Sequence, residues 1–84
     1  MKLADGIFFH EEADHTGFLF SFEDVSSLML NRMGVFLIKH MPECDTEDDL
    51  LCLLQKSVSS PLPDRAKQDI HVFLSQLKTK GYLV

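Results

Sequence analysis

The chain has 84 residues, 45% of them apolar and 25% charged, with 13 acidic against 8 basic side chains and a formal net charge of −5. That length allows one domain with a small core, and the composition is that of a folded chain rather than a disordered one. The acidic excess argues against nucleic acid as the main partner, because gripping phosphates needs a basic patch.

No apolar run approaches the ~18 to 20 residues of a membrane span, so no membrane partner is expected. The start, MKLADG, lacks the apolar core of a signal peptide, and a cytoplasmic location is the default.

In chain order, Gly6 to Asp14 alternates imperfectly. Ile7, Phe9, Glu11 and Ala13 share one face, and Phe8, His10 and Glu12 share the other. Asp14-His15-Thr16-Gly17 is a turn, with glycine placed to take a positive φ. Phe18 to Phe22 has a clearer period of two. Its Phe18, Phe20 and Phe22 are expected to form the aromatic floor of the core. Glu23 and Asp24 break the pattern, and Val25 to Leu30 supplies a third strand. Short turns between adjacent strands predict an antiparallel meander, whose apolar face only helices can cover.

Asn31 marks the change from strand to helix. Its side-chain oxygen suits it to cap a helix start, and Leu30 and Val35 have the spacing of a hydrophobic staple. Met33, Phe36, Leu37 and Met41 form the helical stripe, widened by Val35 and Ile38, before Pro42 stops the helix. Asp45 or Thr46 then caps a second helix, with core residues Leu50, Leu51, Leu54 and Val58. Glu47, Asp48 and Asp49 suit the positive end of its dipole. Successive helical residues diverge by about 100°, so these acids do not converge on one ion.

Ser57 to Pro63 is a linker whose prolines forbid helix continuation. From Asp64 to Lys80, the spacing of Ala66, Ile70, Phe73, Leu74 and Leu77 predicts a long amphipathic helix that Gly81 ends. Tyr82, Leu83 and Val84 are expected to fold back onto the core. The predicted fold class is α+β, a three-stranded antiparallel β-meander followed by three helices, winged-helix-like, in a single domain over 1–84.

Little in the chain points to catalysis. Cys44 and Cys52 lack a CxxC spacing and are expected to be free and reduced, Cys44 in a loop and Cys52 packed in a helix. The four histidines share no face with them, so neither a zinc site nor any cofactor is expected. His10 with Glu12, or His15 with Asp14, could be imagined as a dyad, but on a surface hairpin these are solvated polar residues. No nucleophile with a base and no phosphate loop is present, so the chain is not expected to be an enzyme.

Several features together carry a likeness. A meander leads through Leu30-Asn31-Arg32-Met33-Gly34 into an apolar helix, and a Thr46-capped helix follows. The chain closes on Asp-Ile-x-x-Phe-Leu-x-x-Leu-x-x-x-Gly-Tyr-Leu, from Asp69 to Leu83. In this order and at these spacings the chain resembles the PqqD-like family from about Gly6 to Leu83.

The resemblance implies a peptide chaperone, or RiPP recognition element. Such a protein holds the leader of a ribosomally made precursor peptide and presents it to a tailoring enzyme, often a radical SAM enzyme. It implies that the leader adds as a strand beside the third strand and lies against the last helix, a mode in which main-chain bonds give affinity and side-chain pockets give selectivity. The strand residues so implicated are Ser27, Leu28, Met29, Leu30 and Asn31.

On the last helix, centred on Ile70, one flank carries Lys67, His71, Leu74 and Lys78, and the other carries Asp69, Phe73 and Gln76. The lysine-bordered flank is favoured because it would steer an acidic leader. The Asp69 flank would instead suit a basic one. The expected partners are a precursor peptide leader and a peptide-modifying enzyme, with the chain a monomer or weak homodimer. The alternative is a winged-helix nucleic-acid-binding or regulatory domain, which the net charge and the lack of a basic recognition helix disfavour.

Overall fold

A computed structural model describes residues 1–58 and 61–83. Strands β1 (Ile7–Glu11), β2 (Gly17–Ser21) and β3 (Ser27–Leu30) form one antiparallel sheet in the order β1-β2-β3. Helices α1 (Arg32–His40), α2 (Glu47–Ser57) and α3 (Ala66–Thr79) follow, with a 3-10 turn at Met41–Glu43 between the first two. The fold is thus α+β, with an open meander first and three helices after it. Ser59 and Ser60 of the expected linker, and Val84 of the expected fold-back, lie outside the described residues.

The sheet's buried side differs from the expected one. Leu19 is the fully buried residue of β2, and Gly17 and Ser21 flank it on that face, while Phe18 and Phe20 lie on the other side. Phe22 follows the strand and is exposed. The register explains the inversion, because Leu19 stands opposite both Phe9 and Leu28, whose faces look toward the helices. The small side chains of Gly17 and Ser21 leave room on that face.

Gly17 does not take a positive φ. His15 does so in that turn, at φ 69°. What demands glycine at position 17 is close approach, since a Cβ there would lie 2.2 Å from the His10 carbonyl oxygen. The third strand starts two residues later than expected. Val25 instead occupies the β2–β3 turn at φ 54°.

The helices follow their caps. The Asn31 side chain accepts from the Gly34 N–H at 2.8 Å, and Leu30 and Val35 are both buried. Within α1 the buried positions are Gly34, Val35, Leu37 and Ile38, joined by Met41 in the 3-10 turn, whereas Met33 and Phe36 are only half-buried. The stripe is therefore rotated from the one expected.

Thr46 caps α2 in a capping box. Asp49 N–H donates to Thr46 Oγ1 at 3.2 Å, and Thr46 N–H donates to the Asp49 carboxylate at 3.3 Å. Leu50 and Leu54 are its buried residues, Leu51 is half-buried and Val58 is exposed. Cys44 is buried in the core, where desolvation pushes its thiol pKa up, and Cys52 is the exposed one, the reverse of a helix-packed Cys52. Both thiols are free.

Helix α3 buries Ala66, Ile70, Leu74 and Leu77, and Gly81 ends the segment at φ 77°. Tyr82 then turns into the core, where its N–H donates to the Leu77 carbonyl and its carbonyl accepts from Ala4 N–H, both at 2.8 Å. Leu83 pairs with Leu3 in an isolated bridge.

Candidate peptide-binding edge

In an antiparallel pair, facing residues alternate between those that exchange hydrogen bonds and those that do not. Ser21 N–H donates to the Ser26 carbonyl at 2.9 Å, which sets the phase for the β2–β3 ladder. By that alternation Leu28 and Leu30 turn their main-chain groups toward β2, and Ser27 and Met29 turn theirs outward. On the β1 side the phase is complementary, since Phe22 N–H donates to Gly6 and Glu12 N–H donates to Thr16. β3 is the last strand of the sheet, so among the described residues it pairs with β2 alone. Side chains alternate as well. Leu28 and Leu30 look toward the helices, and Met29, 79% exposed, looks away from them.

Beside this edge runs a cleft of about 430 Å³, with Leu28 on one side. Helix α3 forms its other wall through His71, Val72, Ser75, Gln76 and Thr79, with Lys80 at its C-cap. A second hollow of about 300 Å³ lies at the far end of the strand, lined by Asn31 and Gly34 on one side and Arg65, Asp69 and Phe73 on the other. The distance between β3 and α3 is tied down at one end. The buried Tyr82 hydroxyl shares a hydrogen bond with the Ser26 hydroxyl, and Asp24 accepts from that same serine. Tyr82, three residues after α3, thus holds the start of β3.

The implicated residues of α3 fall in different places. His71 lines the cleft, and its Nδ1 lies 3.0 Å from Glu47 Oε1 on α2. Lys67 Nζ lies 3.7 Å from Asp48 of α2. Ile70 and Leu74 are buried core residues, and Lys78 is exposed in the last turn. Of the opposite flank, Gln76 borders the cleft, while Asp69 and Phe73 border the second hollow, with Arg65 Nε 3.3 Å from Asp69.

Val72, Ser75, Thr79 and Lys80 are cleft residues that the helical wheel did not single out. Val72 left a sequence signal, as an apolar side chain off the core stripe that is 44% exposed. The cations of the cleft wall are Lys80 and, when protonated, His71, and no carboxylate lines it. The second hollow carries a self-paired Arg65 and Asp69. Across the site the electrostatics therefore favour a negative charge near Lys80 more than near Asn31.

The hairpin polar residues form exposed pairs. His10 Nε2 lies 3.5 Å from Glu12, and His15 Nδ1 contacts Glu11 at 2.9 Å rather than Asp14. Asp14 accepts from Thr16 instead. Among the described residues no three or more His, Cys, Asp or Glu side chains group as a metal site. No helix among them is long and apolar enough to cross a membrane.

Together these features define a small α+β domain with an open sheet edge set beside a terminal helix. No protein-family model matches the chain, and no curated protein matches it at a significant level. Among solved structures, its fold is similar to that of TbiB1, determined in complex with the TbiA(beta) leader peptide. The TM-score is 0.79 at 19% sequence identity, over 99% of this chain and 94% of that one. The likeness is one of fold.

Proposed function

We propose that this protein is a non-catalytic carrier for the leader segment of a ribosomally synthesised precursor peptide. The leader lies as a fourth strand along β3, in the slot beside α3, and is delivered to a peptide-modifying enzyme. The observation that carries this reading is the unpaired outward edge of β3 beside an apolar-floored cleft. The fold likeness to TbiB1, whose structure holds a leader peptide, supports it.

In this mode the main-chain groups of Ser27 and Met29 bind the peptide backbone, and Leu28 with the α3 wall receives alternate side chains. Leu30 and Asn31 end the strand, and the core residues Ile70 and Leu74 hold α3 in place behind the slot. Lys80 on the cleft wall supplies the positive border that would steer an acidic leader, whereas Lys67 and His71 of the favoured flank lie beside Asp48 and Glu47 of α2, and Lys78 lies outside the cleft lining. The PqqD-like resemblance extends the proposal to its finer form, in which the receiving enzyme is a radical SAM maturase in the cytoplasm.

The test is calorimetric titration of the chain with a short precursor peptide encoded near its gene. Binding should reside in the leader part and be kept when the rest of the peptide is removed. Binding by the remainder alone would sink the reading.

A further inference from the structure

The side of the sheet that faces away from the helices is open and aromatic. In register, one row across it reads Phe8–Phe20–Ser27 and the next reads His10–Phe18–Met29. Phe22 continues the line of β2, where its ring meets Phe8 edge-on at 4.7 Å and Phe20 at 4.9 Å. Phe8 is 58% exposed and Phe22 62%. An apolar patch this continuous marks an interaction surface on a protein of this size. The charges around it say what it takes. The carboxylates of the sheet and its turns are Asp5, Glu11, Glu12, Asp14, Glu23 and Asp24, and no lysine or arginine occurs between Leu3 and Asn31. Three of the six are satisfied within the chain, Glu11 by Lys39 and His15, Asp14 by Thr16 and Asp24 by Ser26. The others are exposed, and among the described residues they pair with no lysine or arginine.

These three stand at the ends of the aromatic rows. Asp5 and Glu23 adjoin Gly6 and Phe22, which share a main-chain hydrogen bond at one end, and Glu12 lies 3.5 Å from His10 at the other. Such a border repels anionic lipid and nucleic-acid phosphate and attracts a basic protein surface. Position singles out which protein. In a leader laid along β3, the residues opposite Ser27 and Met29 share the face of the Met29 side chain, and the one opposite Leu28 turns into the cleft. A bound leader thus widens the aromatic face by one strand and shows alternate side chains there. Whatever sits on that face also touches the leader, as the enzyme that receives the leader has to.

We propose that the outer face of the sheet docks the peptide-modifying enzyme, against an enzyme surface that is apolar at its centre and bordered by arginines. Guanidinium suits both features of the face, since it stacks on exposed phenylalanine rings and pairs with Asp5, Glu12 and Glu23. This docking mode rests on the carrier reading, and it adds where the enzyme sits and what the enzyme presents. The two faces of the domain then have opposite preferences. The cleft beside Lys80 draws negative charge, and the sheet draws positive. Because the leader forms part of the docked surface, leader and enzyme each raise the other's affinity by the same factor.

The experiment titrates the full chain, isotope-labelled for amide NMR, with the purified peptide-modifying enzyme encoded beside its gene. It is run without leader and with saturating leader, at low and high NaCl. Line broadening should centre on β1, β2 and Phe22. The dissociation constant should rise about fivefold or more at high salt and fall about fivefold or more when leader is present. Phe8→Ser and Phe22→Ser should each weaken enzyme binding about tenfold or more, while calorimetry finds their leader affinity within about twofold of the wild type. No binding at about 100 µM enzyme overturns the proposal. So do broadening centred on α2 or α3, binding that tightens with salt, an enzyme affinity that leader leaves unchanged, and full affinity in both serine variants. Serine variants that also lose the leader assign the face to the leader. Amide shifts on the face that follow the chain's own concentration without enzyme assign it to a second copy. Either result overturns the proposal. A leader that does not bind the wild-type chain sinks the carrier reading instead, and broadening by the enzyme alone still decides the face.

Discussion

Met29 faces Phe18 across the β2–β3 pair without exchanging hydrogen bonds with it, so both main-chain polar groups of Met29 point to the open edge. Leu28, one residue earlier, faces Leu19 in a pair that does exchange them. Proline at these two neighbouring positions therefore does different things. Met29→Pro removes an outward donor that the fold does not use, as edge strands tolerate. Leu28→Pro removes a ladder bond and a half-buried side chain. Met29→Pro is expected to cut leader affinity at least tenfold, about 1.4 kcal/mol or more, while circular dichroism and the thermal midpoint change little. Leu28→Pro is expected to unfold the chain. Undiminished affinity of folded Met29→Pro in calorimetry would remove the strand-addition mode.

The charge of the groove can be read from which lysine matters. Lys67 sits beside Asp48, which offsets part of its field, whereas Lys80 lines the cleft and no carboxylate does. For an acidic leader, Lys80→Glu is expected to weaken binding by about tenfold and Lys67→Glu by less, both effects shrinking as salt rises. A larger effect at Lys67 together with Lys78 would place the peptide on the α2 side of the last helix. A leader that binds more tightly to Lys80→Glu would be basic and would use the Asp69 end.

The element order was legible in the sequence because caps and breakers are local. Asn31, Thr46 and Gly81 each act through a neighbour within five residues. Burial was less legible, since alternation says which residues share a face and not which face looks inward. In the Phe18 to Phe22 stretch three phenylalanines outweigh one leucine, yet Leu19 is buried because its cross-strand partners Phe9 and Leu28 face the helices. That Ser27 to Leu30 form a strand was legible from the sequence pattern, whereas their role as a binding edge came from the family resemblance alone. The α3 wall was not legible, because the width of the slot depends on the Tyr82–Ser26 hydroxyl contact, 56 residues apart in the chain.

Val25 is a β-branched residue held at φ 54° and is 75% exposed, so it carries backbone strain with little burial in return. Val25→Gly relieves the strain. It is expected to stabilise the chain by about 0.5 to 1 kcal/mol in urea titration, against the usual cost of adding a glycine. A loss of stability would mean that the turn gains more from the valine side chain than its conformation costs.

Gly17 makes the opposite case. Its φ is ordinary, but a methyl group there meets the His10 carbonyl at 2.2 Å, and backbone cannot swing aside as a side chain can. Gly17→Ala is expected to lose about 2 kcal/mol or more, with amide exchange accelerated first along β1. A loss confined to a few tenths would show that the hairpin has slack.

Acid should act through three carboxylates around the sheet. His15 and then Lys39 hold Glu11 below the ordinary range, Thr16 does the same for Asp14, and Ser26 for Asp24. A carboxylate whose pKa is lower in the folded chain stabilises it fully above the unfolded value, and that contribution is lost as pH falls through the folded one. Stability is therefore expected to decline below about pH 4 from these groups. Thr16→Ala isolates one of them. Asp14 loses the hydroxyl donor at 2.6 Å and keeps the Thr16 N–H at 3.0 Å, its own N–H and the Arg32 charge, so its carboxyl pKa should move up toward the ordinary value. Carbon-detected NMR titration of Asp14 reads this directly, and an unmoved midpoint would assign the depression to the backbone donors and Arg32.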